Sequence, residues 1–394
     1  MNKSLMNNCF EVFWRFLFLG CVSFGGPAAH IGYFRKIFVE QLQWLDESSY
    51  ARLIALSQFL PGPGSSQIGF SIGYQRAGLI GAISAFIGFT LPSFLLLYFF
   101  ATATAEHNEQ AMFEGVIHGF KLLAVIVVAD ATLTMFKMFC TKRLTVFIFV
   151  FSALFLIMLP SLLSQILVLL VAAIVAICCT SNIEEEQQTS QVQVEPKNSR
   201  LKKLPLVTFL ALLVLIPVIS LQLPLLQLFN DFYLAGSLVF GGGHVVLPLL
   251  QETLGDTVTT DNFLTGYAAA QAVPGPMFTL ATFLGASSLP EQALLGAIVA
   301  TLGIFLPGFL LVLSLQGAWS ALAQNKRIAN AVIGINAAVV GLLFAALYHP
   351  VITGSVHSLT HLIIALFGFV VLRFTKLPIL IFVLTFALLG FFLF

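Results

Sequence analysis

Two Pro-Gly-Pro triplets, Pro61-Gly62-Pro63 and Pro274-Gly275-Pro276, mark where the backbone itself can do chemistry. Proline donates no hydrogen bond and biases the residue before it away from the helical region, so each triplet stops a helix. Glycine lets the chain turn. The helix that restarts beyond has N–H groups outside its own ladder and a partial positive charge at that end. Such an end holds an anion without a charged side chain. The first restart, Gly64-Ser65-Ser66-Gln67, adds two hydroxyls and an amide; the second, Met277-Phe278-Thr279, is less polar. Gln58 and Gln271 each stand three residues before a triplet. Two glycine clusters form a second pair: Gly25-Gly26-Pro27 with His30, and Gly241-Gly242-Gly243 with His244. They are either close helix crossings or unwound segments lining the same cavity.

Ionisable residues inside apolar stretches are costly and mark function by default. Glu114, His118 and Lys121 follow an i, i+4, i+7 spacing that puts them on one helix face. Asp130 lies further along and is the best candidate proton carrier, with Glu114 a second coupling candidate; the alternative for both is an interhelical ion pair. No Lys or Arg occurs from Leu204 through Asn325. Basic candidates for holding an anion are therefore Arg15, Arg35, Lys36, Arg52, Arg76 and Lys121. Trp44-Leu45-Asp46-Glu47 reads as an interfacial Trp followed by an Asp helix cap. The five cysteines (Cys9, Cys21, Cys140, Cys178, Cys179) form no C-x-x-C, and neither they nor the histidines show metal-ligand spacing. No phosphate-binding loop is present, so neither ATP nor another cofactor is implied.

These residues sit in an extremely apolar chain. Of 394 residues, 59% are hydrophobic and 9% charged, with a net charge of +1. Soluble domains carry roughly 25% charged residues, which excludes a water-soluble enzyme. The near-neutral charge excludes a nucleic-acid binder. The reading is an all-α integral membrane protein whose partner is the lipid bilayer, built of spans of about 20 residues.

The motifs repeat in order. The offset is 213 from Gln58 to Gln271, 215 from Gly81 to Gly296 and 216 from Phe24 to Phe240. This is the signature of a tandem duplication. Candidate helices cover 12–30, 47–77 (broken at the triplet), 79–104, 112–139, 144–160 and 162–179. Their second set covers 224–250, 263–288 (broken), 291–316, 327–348, 356–374 and 377–394. The organisation is thus a membrane repeat over 1–179, a polar cytoplasmic linker over 180–205, an extra connecting helix over 206–222 and a second membrane repeat over 223–394. About 13 transmembrane segments result, with 47–77 either crossing once or re-entering as a hairpin, the form that suits Arg35 and Lys36 better. The extra crossing turns the second repeat upside down relative to the first. Arg76, Lys142 and Arg143 in the first repeat, and Lys326, Arg327 and Arg373 in the second, mark cytoplasmic loops consistent with that inversion. The N-terminus is then cytoplasmic, the C-terminus external, and no removable presequence is evident. Inverted repeats with discontinuous helices typify secondary transporters. A membrane-embedded enzyme would need clustered catalytic side chains, which the chain lacks.

With the stretches FLGCVSFGGPAAHIGYFRKIFV, QWLDESSYARLIALSQFLPGPGSSQIGFSIGYQRAGLIGAISAFIGFTLPSF, FGGGHVVLPLL and GYAAAQAVPGPMFTLATFLGA in view, the chain resembles the chromate ion transporter family in its long, two-domain form. The resemblance implies export of chromate across the bacterial inner membrane, chromate resistance, and sulfate as an isosteric competitor. Its motif positions fall on Phe24, Gly25, Gly26, Pro27, His30, Trp44, Asp46, Gln58, Pro61, Gly62, Pro63, Gln67, Arg76 and Gly81. The expected substrate-binding set is Gly25, Gly26, His30, Gln58, Gly62, Gly64, Ser65, Ser66, Gln67, Arg76, Gly242, His244, Gln271 and Gly275. A transporter of sulfate or another small anion, running inward, is the alternative. A dianion leaving a cell that is negative inside gains about 4.6 kcal/mol per 100 mV, which allows export either as a potential-driven uniport or as an antiport. The assembly state carries no sequence signal, and a homodimer is left open.

Overall fold

The computed structural model describes residues 3–107, 111–179, 201–220, 223–319, 322, 325–375 and 377–393. In lipid every backbone polar group must be satisfied within the protein, and a helix does this locally. All regular structure among the described residues is helical. The first half comprises α1 (Lys3–Val22), α2 (Gly26–Phe34), α3 (Glu47–Phe59), α4 (Gly64–His107), α5 (Ala111–Phe139), α6 (Arg143–Met158) and α7 (Leu162–Cys179). Helix α8 (Lys203–Ile219) follows. The second half comprises α9 (Pro224–Leu238), α10 (Val246–Leu254), α11 (Thr260–Ala272), α12 (Leu280–Ser288), α13 (Ala293–Leu315), α14 (Lys326–Ala346), α15 (Leu359–Phe374) and α16 (Ile379–Leu393).

Six stretches are long and apolar enough to cross a membrane, and five shorter apolar helices accompany them among the described residues. The chain is therefore a multi-pass membrane protein. Large apolar side chains such as Phe10, Phe99, Phe147, Leu163 and Phe367 stand exposed on its outside, as lipid contact requires.

Two expected helices prove to be broken. Segment 12–30 ends at Val22, and the chain re-enters helix only at Gly26. Segment 224–250 ends at Leu238, and Val239–Gly242 is unwound. Gly25, Gly26, Gly241 and Gly242 all take positive φ, which dissolves the helix there. The glycine clusters are thus unwound segments. Segments 64–77 and 79–104 stay separate helices, as expected: within α4 the backbone at Ala77 and Gly78 is non-helical, and Gly73 and Gly81 pack the two pieces against each other. The polar stretch 180–200 of the expected linker lies outside the described residues.

Corresponding elements repeat at nearly one offset. Helices α3 and α11 share an offset of 213 at both ends, and α6 and α15 share one of 216 at both ends. Even the caps correspond. Asp46 accepts from the Ser49 N–H at 2.6 Å to start α3, and Thr259 accepts from the Asn262 N–H at 3.3 Å to start α11.

Packing repeats too. Gly20 and Gly88 bring α1 and α4 into backbone contact, and Gly236 and Gly303 do the same for α9 and α13. The last two helices of each half then cross over. Helices α6 and α7 pack on α14, while α15 and α16 pack on α5. Gly119 of α5 meets the Phe386 carbonyl of α16, and Gly334 of α14 meets the Ala172 carbonyl of α7. Each half thus lends a helical hairpin to the other, and the main core draws on both.

Candidate functional site

The two Pro-Gly-Pro breaks meet the unwound glycine segments of the opposite half. Leu60 is extended, as a residue before proline prefers, and Gly62 takes φ +117°. The Gly62 N–H donates to the Val239 carbonyl at 2.7 Å. Reciprocally, Gly275 takes φ +99° and its N–H donates to the Ser23 carbonyl at 3.0 Å. A Cβ on Gly62 would lie 3.0 Å from Gly308 Cα, and one on Gly275 would lie 3.0 Å from Ser93 Oγ. Ser93 and Gly308 are themselves counterparts, at the offset that relates Gly81 to Gly296. The exchange is symmetric, and it fixes each break against the other half.

Around the first break the side chains form a small polar network. Gln67 Nε2 donates to the Pro61 carbonyl at 2.8 Å and to the Gly308 carbonyl at 3.3 Å. His30 Nε2 lies 3.2 Å from the Ser23 carbonyl and Nδ1 lies 3.2 Å from Ser65 Oγ. A carbonyl only accepts, so Nε2 carries the proton, and in the neutral ring Nδ1 accepts from the Ser65 hydroxyl. Ser23 Oγ, Ser66 Oγ and Gln67 Oε1 are buried and have no hydrogen-bond partner among the described residues. Helix α4 closes its first bond at Gln67, to the Pro63 carbonyl at 2.9 Å. The N–H groups of Gly64, Ser65 and Ser66 therefore lie outside the ladder. This break combines helix-end N–H groups with an unspent hydroxyl, which suits an anion.

The second break is less polar. Thr279 Oγ1 turns back to the Pro276 carbonyl at 2.7 Å, and Gln271 Nε2 points to Met277 Sδ at 3.4 Å. His244 Nδ1 lies 2.8 Å from the Tyr267 hydroxyl. Beside them Gly241 approaches Met135 of α5 and Asn336 of α14, and Asn336 Oδ1 is buried without a partner among the described residues. A Cβ built on Gly242 meets nothing within 4 Å, so this segment borders open space.

The structure gathers Gly25, Gly26, His30, Gly62, Gly64, Ser65, Ser66, Gln67, Gly242, His244, Gln271 and Gly275 around the paired breaks. Gln58 is exposed in the last turn of α3. Arg76 is not brought there. It lies twelve residues beyond Gly64, about 18 Å along the helix, where it pairs with Glu11 at 3.2 Å and stacks on Trp44. Arg35 is held by Glu47 at 2.8 Å, and Arg52 by Ser49 at 2.6 Å. The Glu114 side chain lies outside the described residues. Asp130 is ion-paired with Arg373 of α15 at 3.1 Å. Lys121 is buried and pairs with Asp261 of α11 at 2.6 Å. Sequence reasoning missed Asp261, Tyr267, Asn336 and the place of Arg373. None has a counterpart of its own type at the repeat offset; Asp261 and Arg373 pair with α5 of the first half, whereas Tyr267 bonds His244 within its own half.

The model of a family described as chromate transporter matches residues 10–177 and 226–391. The chain belongs to the chromate transporter family. That family consists of membrane transporters, not enzymes, and its two matched segments cover both broken-helix sets. A chromate transport protein of Pseudomonas aeruginosa is 28% identical over 85% of this chain and 79% of its own. A probable chromate transport protein of Synechococcus elongatus is 29% identical over 90% and 87%. An uncharacterized transporter of Methanocaldococcus jannaschii is 27% identical over 88% and 85%. No solved structure matches the chain.

Proposed function

We propose that this family member is a secondary transporter that exports chromate across the bacterial inner membrane and so confers chromate resistance. The single observation that carries the reading is the reciprocal seating of the two breaks on the opposite half's unwound segment. Such paired discontinuous helices suit alternating access around a fixed central site. The names of the Pseudomonas and Synechococcus relatives support chromate as the cargo.

On this reading the oxyanion sits against the N–H groups of Gly64–Ser66, with the Ser66 hydroxyl and His30 nearby. Gly25, Gly26, Gly62, Gly242 and Gly275 shape the backbone around it, and Gln58, Gln67, His244 and Gln271 line its approaches. Arg76, bound elsewhere, is left out. Asp130 and Glu114 remain the candidates for coupling. The halves over 1–179 and 223–394 act as inverted repeats joined by the 180–205 linker and the extra helix over 206–222. About 13 crossings then place the N-terminus in the cytoplasm and the C-terminus outside. Outward movement of a dianion is favoured by about 4.6 kcal/mol per 100 mV, whereas uptake needs at least three accompanying protons to be electrically favourable.

The test is chromate flux in proteoliposomes under an imposed potential, with sulfate as competitor. Potential-driven chromate movement slowed by sulfate is the expected result. Absence of chromate flux under both polarities, with and without a pH gradient, overturns chromate as the substrate.

A further inference from the structure

Arg373 is the cation that the crossed-over hairpin of the second half delivers to α5 of the first. Its Nη1 contacts Asp130 Oδ1 at 3.1 Å and Thr134 Oγ1 at 3.3 Å. Both partners lie on one helix face, four residues apart. The same stretch of α5 borders the unwound glycine segment, since Gly241 packs on Met135. The Asp130 carboxylate is also close enough to His244 to act on it electrostatically. The segment Val239–Gly242 is bonded to the first break at one end, through Gly62, and meets α5 at the other.

Three features separate this pair from a structural tie. First, the position exists twice in the fold, and only one copy holds an ion pair. The offset of 216 carries Asp130 to Ala346 and Ile157 to Arg373. Ala346 and Ile157 line a cavity of about 240 Å³ shared with Gln165, Glu252 and His349. The second copy packs with no charge pair at those two positions, so helix packing does not demand one. Second, the pair is not sealed. Arg373 and Asp130 keep 31% and 30% of their side-chain surface accessible. Third, the guanidinium is only partly used. Among the described residues its hydrogen bonds leave from Nη1, so Nε and Nη2 remain for a planar, two-pronged grip on a tetrahedral oxyanion.

We propose that Arg373 is a binding residue for the transported oxyanion and that Asp130 is its resident counter-anion, displaced from the guanidinium when a dianion arrives. The inference rests on the oxyanion-transport reading and deepens it. It supplies the positive side chain that the breaks lack, and it makes Asp130 a competitor of the cargo rather than part of its cradle. Among the described residues, the charged and titratable groups near the pair are His244 from the unwound segment and Lys137, seven residues beyond Asp130 on roughly the same face of α5. Lys121 is nine residues from Asp130 on α5 and is committed to Asp261.

The test uses the purified full-length chain in proteoliposomes and reads chromate and sulfate KM alongside oxyanion-induced thermal stabilisation, with chloride as control. Arg373→Gln is expected to weaken both oxyanions by about 10- to 100-fold, the usual loss of a charge-assisted contact. Asp130→Asn is expected to tighten oxyanion binding, read as greater thermal stabilisation, because the competing carboxylate is gone. The double variant D130N/R373Q removes both charges, which relieves any penalty from an unpaired group, and is expected to stay as defective as R373Q. Recovery of wild-type KM in the double variant, or equal losses in D130N and R373Q, overturns the proposal and makes the pair structural. Wild-type protein that transports while R373Q is unchanged sinks the inference alone. Wild-type protein that neither binds nor moves an oxyanion sinks the transport reading, and this proposal with it.

Discussion

At Ser23 one carbonyl accepts from the Gly275 N–H of the other half and from the His30 ring. Individual residues of this kind, more than any charged pocket, hold the centre together. The charged side chains are mostly spent elsewhere, and their pairings predict asymmetric effects. Lys121 keeps 5% of its side chain accessible while its partner Asp261 keeps 59%. Removing Asp261 strands a buried cation, whereas removing Lys121 strands only a solvated carboxylate. Asp261→Asn is therefore expected to cost about 1–3 kcal/mol, and Lys121→Met less than about 1 kcal/mol. Thermal unfolding of the purified variants in detergent checks the order. Asp46 behaves differently. The Ser48 hydroxyl, then the Ser49 N–H and hydroxyl, hold its carboxyl down at about 2. A carboxyl held below its unfolded value of about 3.9 stabilises fully above that value, and the contribution is lost as pH falls through about 2. Asp46→Ala should cost about 1 kcal/mol at neutral pH, with the gap to wild type closing in acid.

At the scale of elements, the breaks are where sequence and structure agree most closely. Proline and glycine act locally, so both interruptions, the restart at Gly64 and the repeat offset were legible from residue types and spacing alone. The glycine clusters were half legible. Glycine permits both close crossing and unwinding, and only the positive φ values of Gly25, Gly26, Gly241 and Gly242 decide for unwinding. The Asp130–Arg373 pair was not legible, because nothing local to either residue records which helix of the other half lies beside it. Arg373 at the end of an apolar helix looks like any loop-marking cation. The breaks predict their own sensitivity. Gly62→Ala and Gly275→Ala each force a side chain into a positive-φ position with 3.0 Å contacts. Each should cost about 1–3 kcal/mol and depress chromate flux, measured as Tm together with proteoliposome uptake. Gly242→Ala, which meets open space, should perturb stability less than either, although its φ of +138° also disfavours a side chain.

For the whole molecule, the crossing of hairpins makes the halves mutually dependent. Helix α5 lacks its neighbours without α15 and α16, and α14 lacks its own without α6 and α7. Residues 1–190 expressed alone should therefore be unstable in the membrane. Co-expression with residues 191–394 should restore both accumulation and chromate flux. Quantitative immunoblotting of membranes and whole-cell chromate efflux check this, and a first half that accumulates normally by itself would count against the packing described.

The same crossing also sets a schedule for biosynthesis. Helix α7 ends at Cys179, and α14, which must receive it, starts only at Lys326. At about 5–20 residues per second, a nascent chain spends roughly 7–30 s with α6 and α7 in the bilayer and no α14 to pack on. During that interval the surfaces that will close on Gly334 and Gly341 face lipid or the insertion machinery. On a crowded polysome a neighbouring nascent chain can supply the missing helix, so faithful assembly depends on the pace of translation as well as on the final packing.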